Sequence, residues 1–198
     1  MASFDPTTLP GDLPQPVDDG AADHVTGPVP AVALPSTQGG TMRVDRVPDG
    51  SSMLIVYAYP LTGRPGLAPA PGWDDIPGAR GCTPESCGFR DHAAELAAQG
   101  AAVVGLSTQT TSYQLEAARR LRLPFPLLSD ADLELARALR LPTFTVTLAP
   151  GHEGAGPELL RRLTFVVRGG EIVKVFYPVF PPDGHADEVL AWARGLGR

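Results

Sequence analysis

Leu163-Thr164-Phe165-Val166-Val167-Arg168-Gly169-Gly170-Glu171-Ile172-Val173-Lys174-Val175-Phe176-Tyr177 is two β-rich runs meeting at a glycine pair. Glycine reaches the positive φ that tight hairpin turns demand, so the runs 163–167 and 172–177 read as adjacent antiparallel strands. Working outward, residues 53–59 and 102–107 are near-continuous apolar runs of the kind buried on both faces of a parallel sheet. A helix separates them. Phe89, Ala93, Leu96 and Ala97 share one face, and the run 187–196 puts Val189, Leu190 and Ala193 on one face of a closing helix.

Two more helices are expected in between. Thr111-x-x-Gln114 reads as a capping box for one that ends before Pro124, and Ser129-x-x-Asp132 as the start of one that ends before Pro142. A short strand follows at 144–148. The order is thus parallel β-α-β, helices, an antiparallel hairpin and a last helix, the plan of the thioredoxin fold: an α/β class, three-layer α/β/α sandwich around a mixed sheet. A doubly wound nucleotide-binding domain is the rival, but the chain has no glycine-rich phosphate loop. Residues 29–34 and 41–44 form an N-terminal hairpin around Gly39-Gly40. Residues 1–29, rich in Pro, Gly and Asp, are an extended arm, which leaves 30–198 as the domain.

The 198 residues suffice for one core, and the net charge of −6 disfavours nucleic acid and anionic membrane surfaces. No apolar run reaches the ~18 residues of a membrane span, and the N-terminus lacks the basic and apolar regions of a secretory signal, so a cytoplasmic location is expected. Two cysteines in such a chain suggest redox chemistry and not a structural staple.

Both lie in Gly81-Cys82-Thr83-Pro84-Glu85-Ser86-Cys87-Gly88-Phe89-Arg90-Asp91. Thr83 and Pro84 are helix-start residues, so Cys82 stands at the helix mouth and Cys87 about one turn inside. The unpaired N–H groups and positive dipole end of a helix favour a thiolate, and such sites lower a cysteine pKa from about 8.5 into a range of about 3.5–7.5. Cys82 is therefore the expected nucleophile. Steps of five residues turn a helix by about 140°, so Cys82, Cys87 and His92 spread around the cylinder and cannot share one metal ion. The same step separates the two cysteine Cα atoms by roughly 8.7 Å, beyond the ~7 Å a disulfide allows. Joining them requires the first turn to unwind.

The run Cys82-Thr83-x-Glu85-x-Cys87-Gly88-Phe89-Arg90-Asp91 resembles the active-site segment of peroxiredoxins of the Q type (bacterioferritin-comigratory proteins), thiol peroxidases of the AhpC/TSA kind. The resemblance implies that Cys82 is the peroxidatic cysteine and that Cys87 resolves it. It also implies an activating arginine in an Arg-x-Thr-Phe pattern. Arg162-Leu163-Thr164-Phe165 fits it; strand alternation lets only one of Arg161 and Arg162 face the site. Glu85 matches the family's glutamate and is assigned to substrate binding within the active-site hydrogen bonding, or it merely complements the helix dipole. Arg90 stays unassigned between the site and Asp91. The implied activity needs no metal, haem or flavin. It needs a peroxide and a thioredoxin-like dithiol reductant, in a monomer or homodimer.

One departure stands out. The family pattern Pro-x-x-x-Thr-x-x-Cys is broken here, because Cys82 follows Pro60 by 22 residues and the segment 67–81 intervenes. The missing substrate-binding hydroxyl is assigned to Thr62, with Thr83, or no hydroxyl at all, as the alternatives. Trp73 in the insertion is expected to bury itself near the active-site mouth. His24, His92, His152 and His185 are expected in solvent. The rival activities are a thioredoxin-like disulfide oxidoreductase, disfavoured by the Cys-x4-Cys spacing, and a non-enzymatic redox-sensing interaction module.

Overall fold

The computed structural model describes residues 4–148 and 155–196; His152 lies outside them. The strands are β1 (Gly27–Pro28), β2 (Ala33–Pro35), β3 (Thr41–Arg43), β4 (Met53–Ala58), β5 (Ala101–Ser107), β6 (Leu127–Ser129), β7 (Thr143–Thr145), β8 (Glu158–Leu160), β9 (Leu163–Arg168) and β10 (Glu171–Phe176). The helices are α1 (Cys82–Asp91), α2 (Ala93–Ala98), α3 (Thr111–Leu121), α4 (Glu134–Leu139) and α5 (His185–Gly195). Six strands form a mixed sheet in the order β1-β10-β9-β4-β5-β6, with β4, β5 and β6 parallel and β9 and β10 antiparallel.

The apolar run in β4 explains the layering. Successive side chains point to opposite faces. Leu54, Val56 and Ala58 enter one core with Leu135, Ala136 and Leu139 of α4, with Leu34 of the β2–β3 hairpin, and with Val25 and Val29 of the arm. Ile55 and Tyr57 enter the other with Phe89 of α1, Leu96 of α2 and Val189 and Leu190 of α5. Burial on both faces is what such a run is for.

Some local readings are overridden. The cysteine helix is divided at His92 into α1 and α2. Neither capping box forms as expected. Gln114 donates to Ser107 Oγ at 2.9 Å and to the Leu128 carbonyl at 2.8 Å, so it is not free to close a box at Thr111. For α4 the cap is Asp130, whose carboxylate accepts from Leu135 N at 3.1 Å and Ala136 N at 2.8 Å. The strand expected at 144–148 is shorter and pairs with β8, which the sequence did not announce. The arm is tied down through Arg161, which donates to Asp19 at 2.6 Å, and through β1, which pairs with β10.

Candidate active site

Helix α1 opens at Gly81, whose φ of 105° suits only glycine without strain, and a Cβ there would overlap Pro182. This turn places Cys82 in the first helical position, 2 % exposed. Three groups meet its sulfur. Leu61 N–H donates at 3.4 Å, Arg162 Nη2 donates at 3.2 Å, and the thiol faces the Ala79 carbonyl at 3.6 Å.

Arg162 is at the threshold of β9 and is 4 % exposed. Its guanidinium donates to the carbonyls of Gly78 at 3.3 Å, Ala79 at 3.3 Å and Arg80 at 3.1 Å, and it forms a very close ion pair with Glu85. Alternation along the strand decides which arginine serves. Arg161 turns outward to Asp19 and, at 3.1 Å, to the Tyr177 hydroxyl. The segment 78–80, the last part of the insertion, wraps Arg162 in carbonyls.

The electrostatics also differ from the sequence expectation. Burial pushes the Cys82 thiol up; the Arg162 charge opposes this, the Glu85 charge adds to it, and the Leu61 N–H pulls it down again. Burial wins, so the helix start alone does not set the thiol low. Glu85, fully buried, is raised to about 7 by burial, with Arg162 pulling the other way. One cation thus sits between two acids, and protonation of Glu85 frees the arginine's charge for the sulfur.

A consequence follows for Glu85→Gln. A carboxyl raised from 4.5 to about 7 contributes stability that is whole below pH 4.5 and lost as pH rises through 7. The wild type should lose on the order of 3 kcal/mol across that window, at about 1.4 kcal/mol per pKa unit. Denaturant titrations of the glutamine variant should show a much flatter profile, and ultraviolet thiolate absorbance should show a lower Cys82 pKa. An unchanged pH profile would remove Glu85 from this role.

The remaining residues sort as follows. Cys87, half-buried and free like Cys82, lies on the intact α1. Thr62 is buried, but both its N–H and its hydroxyl donate to Gln109 Oε1 at 3.0 Å, and it does not border the cavity beside Cys82. Glu85 does not border that cavity either; it holds Arg162. The substrate contacts assigned to these two residues are therefore not what the geometry offers. Arg90 donates to Asp91 at 2.8 Å and to the Leu121 carbonyl at 3.0 Å. His185 is buried, not solvated. Its Nε2 is 2.8 Å from Thr164 Oγ1, and burial, with Arg162 adding, holds its pKa down to about 3. Trp73, 4 % exposed, packs with Leu61, Ala79 and Leu159 and borders the cavity at Cys82.

Sequence reasoning had no means of finding the Leu61 N–H or the three carbonyls around Arg162, because backbone groups carry no residue signature. Gln109, Ser86 and Tyr57 were also missed. Ser86 Oγ accepts from the buried Tyr57 hydroxyl at 3.2 Å and ties the first turn of α1 to β4.

The chain resembles known proteins in sequence and in fold. The AhpC/TSA family matches residues 76–175. A putative peroxiredoxin bcp of Coxiella burnetii is 28 % identical over 161 residues, covering 81 % of this chain and 92 % of that protein. Peroxidoxin BcpB from Mycobacterium tuberculosis superposes with a TM-score of 0.64 at 29 % identity, covering 86 % of this chain and 97 % of that one. Xanthomonas campestris peroxiredoxin Q shares the fold, with a TM-score of 0.61 at 21 % identity over 94 % of this chain and 99 % of that one. With the family match running from just before Cys82, past Arg162 and into β10, this chain belongs to the AhpC/TSA family.

Proposed function

We propose that the protein is a thiol-dependent peroxidase in which Cys82 attacks the peroxide and Cys87 resolves the product. The observation that carries this reading is the pairing of a buried sulfur with a guanidinium at 3.2 Å and a backbone N–H at 3.4 Å. Both donors favour the thiolate, and the cation suits an oxygen that gains negative charge.

The Cys82 thiolate attacks one peroxide oxygen. The S–O bond forms as the O–O bond breaks, sulfur loses two electrons, and the departing oxygen takes a proton to leave as water or an alcohol. The Cys87 sulfur then attacks the sulfenic sulfur. An S–S bond forms, the S–O bond breaks, and the hydroxide leaves as water with the Cys87 proton. An external thioredoxin-like dithiol restores both thiols by exchange, its own pair becoming a disulfide.

Helix α1 must open for the second step, because the cysteines sit five residues apart on it. Opening breaks the Glu85–Arg162 pair and the Tyr57–Ser86 bond, while Phe89, stacked on Tyr57 at 4.5 Å, anchors the second half of the helix. Among the described residues no helix is long and apolar enough to cross a membrane. Steady-state consumption of hydrogen peroxide, coupled to thioredoxin and its reductase, tests the reading. Turnover that disappears without the dithiol supports it. Reduction of a protein disulfide with no peroxide consumption would favour the oxidoreductase instead.

A further inference from the structure

The N-terminal arm lies across the reactive cysteine. Phe4 and the buried Pro6 border the cavity at Cys82, together with Leu61, Trp73 and Thr83. Several contacts seat this segment. The Phe4 carbonyl accepts from Gly66 N at 2.9 Å. The Arg80 guanidinium stands 4.7 Å over the Phe4 ring and donates to the Thr8 carbonyl at 3.1 Å. Gly63 completes the seat by lacking a side chain, since a Cβ there would lie 2.9 Å from Pro6 Cβ and 3.2 Å from Phe4 Cε1. The segment 4–8 is thus held down beside the reactive cysteine.

What remains under the arm is small. The cavity measures about 20 Å³, against the roughly 10–15 Å³ that a single water requires. That is room for little more than one water-sized molecule. By contrast a surface groove of about 1160 Å³ runs between the β2–β3 hairpin and α2 and does not touch Cys82. Thr83 also borders the small cavity. Thr83 is 2 % exposed and its hydroxyl has no hydrogen-bond partner. A buried hydroxyl left unpaired is unfavourable, and a peroxide oxygen in the cavity relieves it. The other hydroxyl at hand, that of Thr62, is already engaged with Gln109.

Resting on the thiol-peroxidase reading above, we infer that residues 4–9 roof the peroxide pocket and that Thr83 supplies its substrate-binding hydroxyl. Together they select hydrogen peroxide over hydroperoxides that carry a carbon chain. The roof acts by exclusion: a bulky hydroperoxide reaches Cys82 only when Phe4 and Pro6 are lifted.

The test compares kcat/KM for hydrogen peroxide and cumene hydroperoxide in the full chain and in a variant lacking residues 1–10. The ratio of cumene hydroperoxide to hydrogen peroxide should rise about tenfold or more on deletion, the scale at which a pocket discriminates by size. Should the deletion disturb folding, Gly63→Ala, which pushes Pro6 away, and Phe4→Ala should shift the ratio the same way. A readout independent of turnover uses the Cys87→Ser background, where Cys82 is the one thiol. There a bulky maleimide should gain on iodoacetamide by a similar factor when the arm is cut. Thr83→Val should raise KM for hydrogen peroxide about tenfold, and Thr83→Ser should restore it. A chain that consumes no peroxide through Cys82 would sink the peroxidase reading itself. Consumption of hydrogen peroxide with an unmoved ratio in every arm variant, or equal KM for the valine and serine variants, would overturn the pocket assignment and leave the peroxidase standing.

Discussion

Cys82→Ser is expected to abolish peroxide consumption, whereas Cys87→Ser should complete one turnover and stop. Cys82 alone has the buried position and the Arg162 and Leu61 donors. Its serine would keep the hydrogen bonds but lose the sulfur nucleophile, whose place an alkoxide cannot take, so no residual turnover above background is expected. With Cys87 replaced, the sulfenic acid has no second thiol in the chain to meet. Consumption should end at about one equivalent, and excess oxidant should carry Cys82 on to the sulfinic acid. Stopped-flow peroxide consumption and intact mass separate the two variants. Loss of the first equivalent in Cys87→Ser alone would reverse the assignment.

Arg162→Ala should be nearly as damaging, and in two ways at once. Removing a preorganised donor from the place where charge develops costs about 10²–10³-fold in rate. Removing one partner of a buried ion pair destabilises by about 3–5 kcal/mol when the other charge stays behind. Glu85, with its pKa already near 7, can escape part of that penalty by taking a proton. The variant should therefore be markedly more stable at pH 5 than at pH 8, and Arg162→Ala combined with Glu85→Gln should recover stability but not rate. Denaturation curves at the two pH values, read beside the peroxide rate constant, make the distinction. A single variant that folds as well as wild type at pH 8 and reacts as fast would move the role to another residue.

How much of this was legible in advance depends on the kind of signal. The β4 and β5 runs, the Gly169-Gly170 hairpin and the face of α5 are local periodicities, and they emerge where expected because the sheet and helix repeats act residue by residue. Capping was less legible: Gln114 turned to partners on β5 and β6, and the start of α4 is held by Asp130 and not by the expected pair Ser129 and Asp132. His185 reads as a helix-surface residue beside Asp187 and Glu188, yet it is buried against Thr164, because α5 packs its first turn onto the sheet.

The site divides along the same line. The sequence by itself determined that two cysteines share one helix, that the first stands at its mouth, and that their separation forbids a bond while the helix is intact, since rise and turn per residue are constants of the helix. Strand alternation further determined that only one of Arg161 and Arg162 could serve. Only the tertiary structure decided that it is Arg162 and that three carbonyls from 78–80 hold it. It also decided that burial lifts the Cys82 thiol against the pull of that arginine, and that the arm at Phe4 and Pro6 comes to rest over a cysteine some 75 positions away in sequence. These depend on which segments far apart in the chain become neighbours. Neither desolvation nor a backbone carbonyl leaves a mark in the order of side chains.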